Sequence, residues 1–345
     1  MNILLIRSAV RPRSAFFCAL AVALLVVALH PFVTFADKKA PAAYHDKLFD
    51  VFFLTDKEVF VVGYPGLILH STDAGVTWES RTIVESEPLY AIDFPDDKHG
   101  WVVGRLGLIY KTSDRGKTWT RQKTGVDKHL FDVDFADAQH GIVVGHFGTI
   151  LTTEDGGDTW VHHEFQLMNS ATINGLQMTG PKTAVFVGEY PIWETELTDD
   201  VTVEQISAMW RTEDGGNTWS RMGGSPTKTL FDVYFIDEKT GYTVGVGGTL
   251  SMTEDGGETW KSLDTPHDNV LLKITRAEDA VYIAGTEGTA LRVQGDKVTP
   301  LDTKIYTWLC GIGFGDKNHG VVVGGRGTLM YTADGGKTWT KHPIK

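Results

Sequence analysis

The stretch "TTEDGGDTW" (152–160) returns five more times, as "HSTDAGVTW" (70–78), "KTSDRGKTW" (111–119), "RTEDGGNTW" (211–219), "MTEDGGETW" (252–260) and "YTADGGKTW" (331–339). Six copies of Asp-x-Gly-x-Thr-Trp are implausible as six catalytic sites and natural as six structural staples. A chain that repeats itself at a fixed interval must fold as a series of equivalent units.

A second pattern marks where each unit begins. "LFDVFF" starts at Leu48, "LYAIDF" at Leu89, "LFDVDF" at Leu130, "INGLQM" at Ile173, "LFDVYF" at Leu230, "LLKITR" at Leu271 and "LCGIGF" at Leu309. The intervals are 41, 41, 43, 57, 41 and 38 residues. Within the third unit, "LFDVDF" is apolar at alternate positions, "HGIVVG" is β-branched and closed by glycines, "TILTTE" alternates again, and "TWVHHEF" closes the unit. Alternation bounded by turn residues reads as β-strand. No stretch after residue 40 has a convincing helical period. Four short strands with their turns fill about 40 residues, so the expected fold is all-β: a seven-bladed β-propeller of four-stranded antiparallel blades.

The repeated motif then falls at the turn between third and fourth strands. Asp73, Asp114, Asp155, Asp214, Asp255 and Asp334 are expected to accept a backbone N–H two residues on, as in an Asx-turn. The glycine supplies a positive φ, and the threonine hydroxyl bonds back to the turn. Trp78, Trp119, Trp160, Trp219, Trp260 and Trp339 are expected to pack on their own hairpin and on the next blade. Unit six lacks this turn, because "VQGDKVTPL" (293–301) has neither the paired glycine nor the tryptophan, and its blade is expected to be loosest at the outer edge. Unit four is longer than its neighbours by an insertion at 190–209.

This turn resembles the Asp-box of bacterial neuraminidase repeats. The whole unit, "D…HGxxVGxxGxI…T-x-D-G-G-x-T-W", is similar to the photosystem II stability/assembly factor family across residues 45–345. The resemblance implies a non-enzymatic protein that helps assemble membrane-protein complexes from the lumenal or periplasmic side, with no cofactor, no metal and no catalytic residue. The lipoprotein cysteine common among the family's cyanobacterial members is missing here.

The N-terminus agrees with export. Arg7, Arg11 and Arg13 precede the apolar run "SAFFCALAVALLVVAL" (14–29), and "TFA" (34–36) offers small residues before Asp37. Residues 1–36 are read as a signal peptide or an uncleaved N-terminal anchor, 37–47 as a linker and 48–345 as the propeller. The whole chain carries −12; without its first 36 residues it has 29 basic against 44 acidic side chains. Such a surface repels phosphate backbones, so no nucleic-acid partner is expected. Cys18 and Cys310 are the only cysteines, too few for a disulfide framework. Cys310 reads as a small buried hydrophobe.

Partner binding is expected where second strands turn into third strands, in the "G-x-x-G" slots. Around the ring these slots bring Tyr64, Arg105 and Arg326 onto adjacent blades, an arc that suits a carboxylate or acidic segment. Glu189, with Tyr190 and Trp193 of the insertion, forms an acidic and aromatic counterpart. His99, His140 and His319 are repeat equivalents on separate blades, unable to share a metal, and His162 and His163 point to opposite faces of a strand. The expected partner is a membrane-protein complex or an assembly intermediate, bound by a monomeric propeller with no small-molecule substrate. Two other classes remain open. One is an envelope accessory of a transporter. The other is a sialidase-like glycoside hydrolase, which would need three arginines and a tyrosine nucleophile with an acid partner. Tyr64 has no identifiable Glu partner.

Overall fold

The computed structural model describes residues 47–164, 171–189 and 208–342. They form seven four-stranded antiparallel sheets, each built from consecutive strands. Blade 1 takes Lys47–Phe53, Val59–Tyr64, Leu67–Ser71 and Glu79–Thr82. The same order repeats over 89–121, 130–164, 172–221, 230–262, 271–301 and 309–341. The propeller starts one residue earlier than expected. The last two residues of the insertion, Ala208 and Met209, already belong to the third strand of blade 4; Tyr190 and Trp193 lie outside the described residues. Among the described residues no helix is long and apolar enough to cross a membrane.

Burial grades outward along each blade. Second strands such as Gly100–Gly104 and Gly141–Gly145 are buried at every position, because neighbouring blades cover both faces. Fourth strands such as Thr120–Arg121 and Ser220–Arg221 are exposed throughout. Apolar clusters join the sheets pairwise: Trp101 of blade 2 stacks on Phe135 of blade 3 with centroids 3.5 Å apart, and Tyr282 of blade 6 stacks on Phe314 of blade 7 at 3.7 Å.

Among the described residues, ring closure uses no exchanged strand. Blade 1 and blade 7 are each contiguous, and they meet through Leu48, Val51 and Val61 against Val321, Val323 and Leu329. Gly311 permits the close approach, since a Cβ there would stand 3.0 Å from the Asp50 Cα.

Blade 6 departs from expectation. Its fourth strand, Lys297–Leu301, pairs with the third at five positions, whereas those of blades 2, 4, 5 and 7 pair at two. A tight Gly295-Asp296 hairpin sets that register, and the Tyr242 hydroxyl of blade 5 donates to the Gly295 carbonyl at 2.9 Å. The blade without an Asp-box therefore has the better-formed outer edge.

Candidate functional site: the slot face and the central channel

The six Asp-boxes share one geometry. In the third, Asp155 Oδ1 accepts the Thr159 backbone N–H at 2.8 Å and Oδ2 accepts the Thr159 hydroxyl at 2.6 Å. The bonded N–H is thus four residues on, not two, because the loop closes a wider turn than an Asx-turn. The Thr153 hydroxyl completes it, donating to Asp155 and accepting the Gly157 N–H at 2.8 Å. Asp114, Asp255 and Asp334 repeat this arrangement, and the hydroxyl and N–H of their threonines hold each carboxyl down at about 2. Trp78, Trp119 and Trp219 donate to the carbonyls of Gly75, Gly116 and Gly216. The tryptophans pack backwards rather than forwards: Trp160 of blade 3 joins Trp101 of blade 2, and Trp260 of blade 5 joins Met222 and Val185 of blade 4. The reason is that the box loop lies over the preceding blade, as Gly157 does beside Trp101.

The repeated histidines are staples too. His99, His140 and His319 each bond a carboxylate three residues earlier, Asp96, Asp137 and Asp316, at 2.8–2.9 Å. His163 bonds Thr152 at 2.8 Å, while His162 beside it is exposed. Burial pushes the Cys310 thiol up to about 12. Among the described residues no group of His, Cys, Asp or Glu could hold a metal ion.

The opposite face carries the slots. Each inner strand has a register shift at the residue after its leading Leu or Ile, where it leaves this face, for example between Leu48 and Asp50 and between Leu89 and Ala91. Such bulges re-aim a side chain. The re-aimed residues of blades 1, 2 and 3 are Phe49, Tyr90 and Phe131, whose rings form a chain at 5.2 and 5.4 Å. His129 and His146 continue it, with parallel rings 6.0 Å apart, and Phe147 lies 4.0 Å from His146. Burial, then the charge of Arg105, then His146 bring His129 down to about 4, so it is neutral at physiological pH. This half-buried aromatic wall was missed in the sequence, although the aromatic second letter of "LFD", "LYA" and "LFD" signalled it.

The expected arc is rearranged. Tyr64 ends the second strand of blade 1 and is half-buried. Arg105 opens the turn Arg105–Gly107 and is half-buried, with Nη1 3.5 Å from Glu87 Oε2. Arg326 does not share their position. Gly325 leads its turn, and Arg326 follows at the exposed apex with φ +59°, aligned with Leu106, Phe147 and Glu287 at +57°, +56° and +56°. The expected alignment of Arg326 with Tyr64 and Arg105 is thus off by one residue, because "GGRG" puts its second glycine at the leading position. Glu189 ends a strand half-buried, and desolvation raises its carboxyl. Left-handed backbone costs a non-glycine residue ~1–2 kcal/mol, yet Leu106 and Phe147 hold it with 46% and 49% of their surface exposed.

A second constellation fills the channel. Lys273 Nζ of blade 6 lies 4.0 Å from Asp50, 3.6 Å from Asp132 and 3.9 Å from Asp232. Those aspartates come from blades 1, 3 and 5, so the ammonium sits near the ring axis. Each also reaches sideways: Asp50 Oδ2 accepts the Ile92 N–H at 3.2 Å, Asp132 that of Leu176 at 2.9 Å and Asp232 that of Ile274 at 2.8 Å. Asp93 and Asp134 bridge likewise to Phe135 and Met178. Burial raises all these carboxyls, Asp134 and Asp232 to about 7, while the surrounding carboxylates raise Lys273 against its own burial. Reading the inner strands only for apolar alternation passed over this cluster. Its sequence signal was the third letter, Asp in units one, three and five and Lys in unit six.

Fold and faces together define a seven-bladed propeller stapled at rim and axis, with an aromatic-lined mouth on one face. The sequence matches the family described as photosynthesis system II assembly factor YCF48 over residues 37–124, 119–226 and 216–299, and 330–341 match the BNR/Asp-box repeat. The chain belongs to the YCF48 family. Similar solved structures include YCF48 bound to D1 peptide, 18% identical with a TM-score of 0.64 over 86% of this chain and 99% of that one. YCF48 from Cyanidioschyzon merolae is 20% identical, with a TM-score of 0.62 over 86% and 98%. The GH74 xyloglucanase from Xanthomonas campestris is 13% identical, with a TM-score of 0.67 over 87% of this chain and 54% of that one, a likeness of fold. No curated protein matches by sequence.

Proposed function

We propose that this chain is a non-catalytic assembly factor, exported to a periplasmic or lumen-like compartment, whose slot face holds a segment of a membrane-protein subunit during assembly. One observation carries the site: the bulged aromatics Phe49, Tyr90 and Phe131 of blades 1, 2 and 3 form a half-buried wall at the channel mouth, on the face that also carries Arg105 of blade 2 and the exposed Arg326 of blade 7. Membership of the YCF48 family and the D1 peptide held by a relative of the same fold support the role. Tyr64 and Glu189 end the second strands of blades 1 and 4 on this face, and Tyr190 and Trp193, which follow Glu189 in the sequence, lie outside the described residues. A glycosidase reading gains nothing from this face, because Glu87 already occupies Arg105.

The test is a titration of the protein with the D1 peptide and with a scrambled peptide of the same composition. Saturable binding of the D1 peptide alone is expected. Failure of both to bind, with the protein shown to be folded, would end the peptide-binding reading.

A further inference from the structure

We propose that the segment taken by the slot face is apolar and uncharged where it crosses blades 2 and 3, and that Leu106 and Phe147 are its grips. The inference rests on the reading of this face as a peptide site and names the chemistry of what it takes. Three observations carry it.

The first is backbone cost without folding return. Leu106 and Phe147 hold left-handed backbone at the apex of equivalent turns on neighbouring blades, each about half exposed. Blade 5 has Gly247 at that position with φ +61°, so the turn does not need a side chain. An exposed leucine or phenylalanine at a strained position contributes little to the core, and strain of this kind gathers at binding sites. By the symmetry of the ring the two apices stand at one height, so one extended segment can cross both.

The second is continuity. Phe147 sits against His146, which joins through His129 to the wall of Phe131, Tyr90 and Phe49. Phe147 is therefore the outer end of an aromatic surface that runs into the channel mouth, and Leu106 stands at the equivalent apex one blade away.

The third is charge. Arg105 is matched by Glu87 at 3.5 Å, and Lys128, whose ammonium lies 5.7 Å from the Phe147 ring centre, is matched by Asp127 at 3.0 Å. His129 and His146 are both biased toward neutrality by burial. Arg326, which has no ion pair among the described residues, stands two blades from Leu106. A surface so balanced rewards an apolar segment and gives an acidic one little.

The experiment uses the exported protein as recovered from the producing cell, with Leu106→Gly/Phe147→Gly as the variant. Glycine relieves the backbone, so the variant is expected to melt no lower than wild type. The probes are two capped synthetic peptides of equal length in a Ser/Gly background, one bearing Leu and Phe and the other Glu at the same positions. Wild type should prefer the apolar peptide, and the variant should bind it about 30-fold more weakly, the loss typical of removing hot-spot contacts. Affinity should change less than about twofold between 50 and 500 mM salt, since an apolar contact is not screened. Equal binding of the apolar peptide by both proteins overturns the proposal, as does preference for the glutamate peptide or a steep loss with salt. If neither synthetic peptide binds but wild type sediments with phosphatidylglycerol vesicles more than the variant does, the face docks on a bilayer and the proposal falls. The D1 peptide separates the two readings. Binding equally to both proteins, it would retire the apolar grips alone; no binding of any peptide would retire the peptide site as well.

Discussion

At the rim, Asp114 accepts a hydroxyl and an N–H from Thr118 in a solvated turn, and its carboxyl is held down at about 2. At the axis, Asp232 accepts the Ile274 N–H and faces Lys273 with 6% of its side chain exposed, and its carboxyl is pushed up to about 7. The residue type and the number of donors are similar. The difference is water. In the open turn, hydrogen bonds favour the charged form at little desolvation cost. In the channel, desolvation outweighs every bond and the ammonium together. One protein thus uses aspartate in two ways, as a charged local staple and as a buried bridge between blades that binds protons readily.

The strongest way to break the comparison is Lys273→Met. It keeps the stem and removes the ammonium that three carboxylates share. Leaving buried charge without its partner costs about 3–5 kcal/mol, so chemical denaturation at pH 8 should show a loss of that order. At pH 5.5 much of the loss should disappear, because the carboxyls can take up protons instead. An equal loss at both pH values would show that Lys273 acts by packing alone.

At the rim the corresponding change is Trp160→Ala, which opens the contact with Trp101 and Phe135. Trp160 is only half-buried, so the lower end of the range for such truncations, about 3 kcal/mol, is expected. This loss should be the same at pH 8 and pH 5.5. Asp155→Asn comes next. It removes charge from an acceptor of three bonds without removing the side chain, a change worth about 1–2 kcal/mol.

Wild type itself should show both regimes in one pH profile. The channel carboxyls have folded pKa values above their usual 3.8, so the folded state binds more protons than the unfolded one between about pH 4 and 7. Stability from these groups therefore rises as pH falls from 8 toward 5. The box carboxyls have folded values below 3.8, so their contribution is present above that pH and is lost as pH falls toward about 2. Lys273, raised from 10.5, is constant across this range. The melting temperature should peak near pH 4–5, about where the two windows meet. A monotonic rise from pH 4 to pH 8 would contradict the channel assignment.

The same comparison explains what the sequence could reveal. Ring, blade count and box residues were legible because each depends on a short local pattern repeated six or seven times. The bond span of the box and the backward packing of its tryptophan were not, since both depend on how a loop lies over another sheet. The axial cluster was harder still. Asp50, Asp132, Asp232 and Lys273 are far apart in sequence and meet only when the ring closes. Each alone looks like an interruption of an apolar strand. The slot face failed by one residue: "GGRG" places its arginine second, which backbone dihedrals settle and spacing does not.

The smallest expected effect is the most discriminating control on charge. Arg326→Glu and Lys273→Met each remove one positive charge, and the first also adds a negative one. If net charge governed stability, the surface reversal would cost at least as much as the axial change. Arg326 stands exposed at a turn apex and makes no ion pair among the described residues. Its substitution should shift stability by no more than about 0.5 kcal/mol, and that shift should shrink as salt is added, since exposed charges are screened over about 8 Å at physiological ionic strength. Arg105→Glu should fall between the two, because it would set a carboxylate beside Glu87 in a half-buried slot. Denaturant midpoints for the three variants at two salt concentrations would place them in that order. An Arg326→Glu loss as large as that of Lys273→Met would mean that the axis owes its stability to the net charge of the ring, and not to the pairing of its buried carboxylates with Lys273.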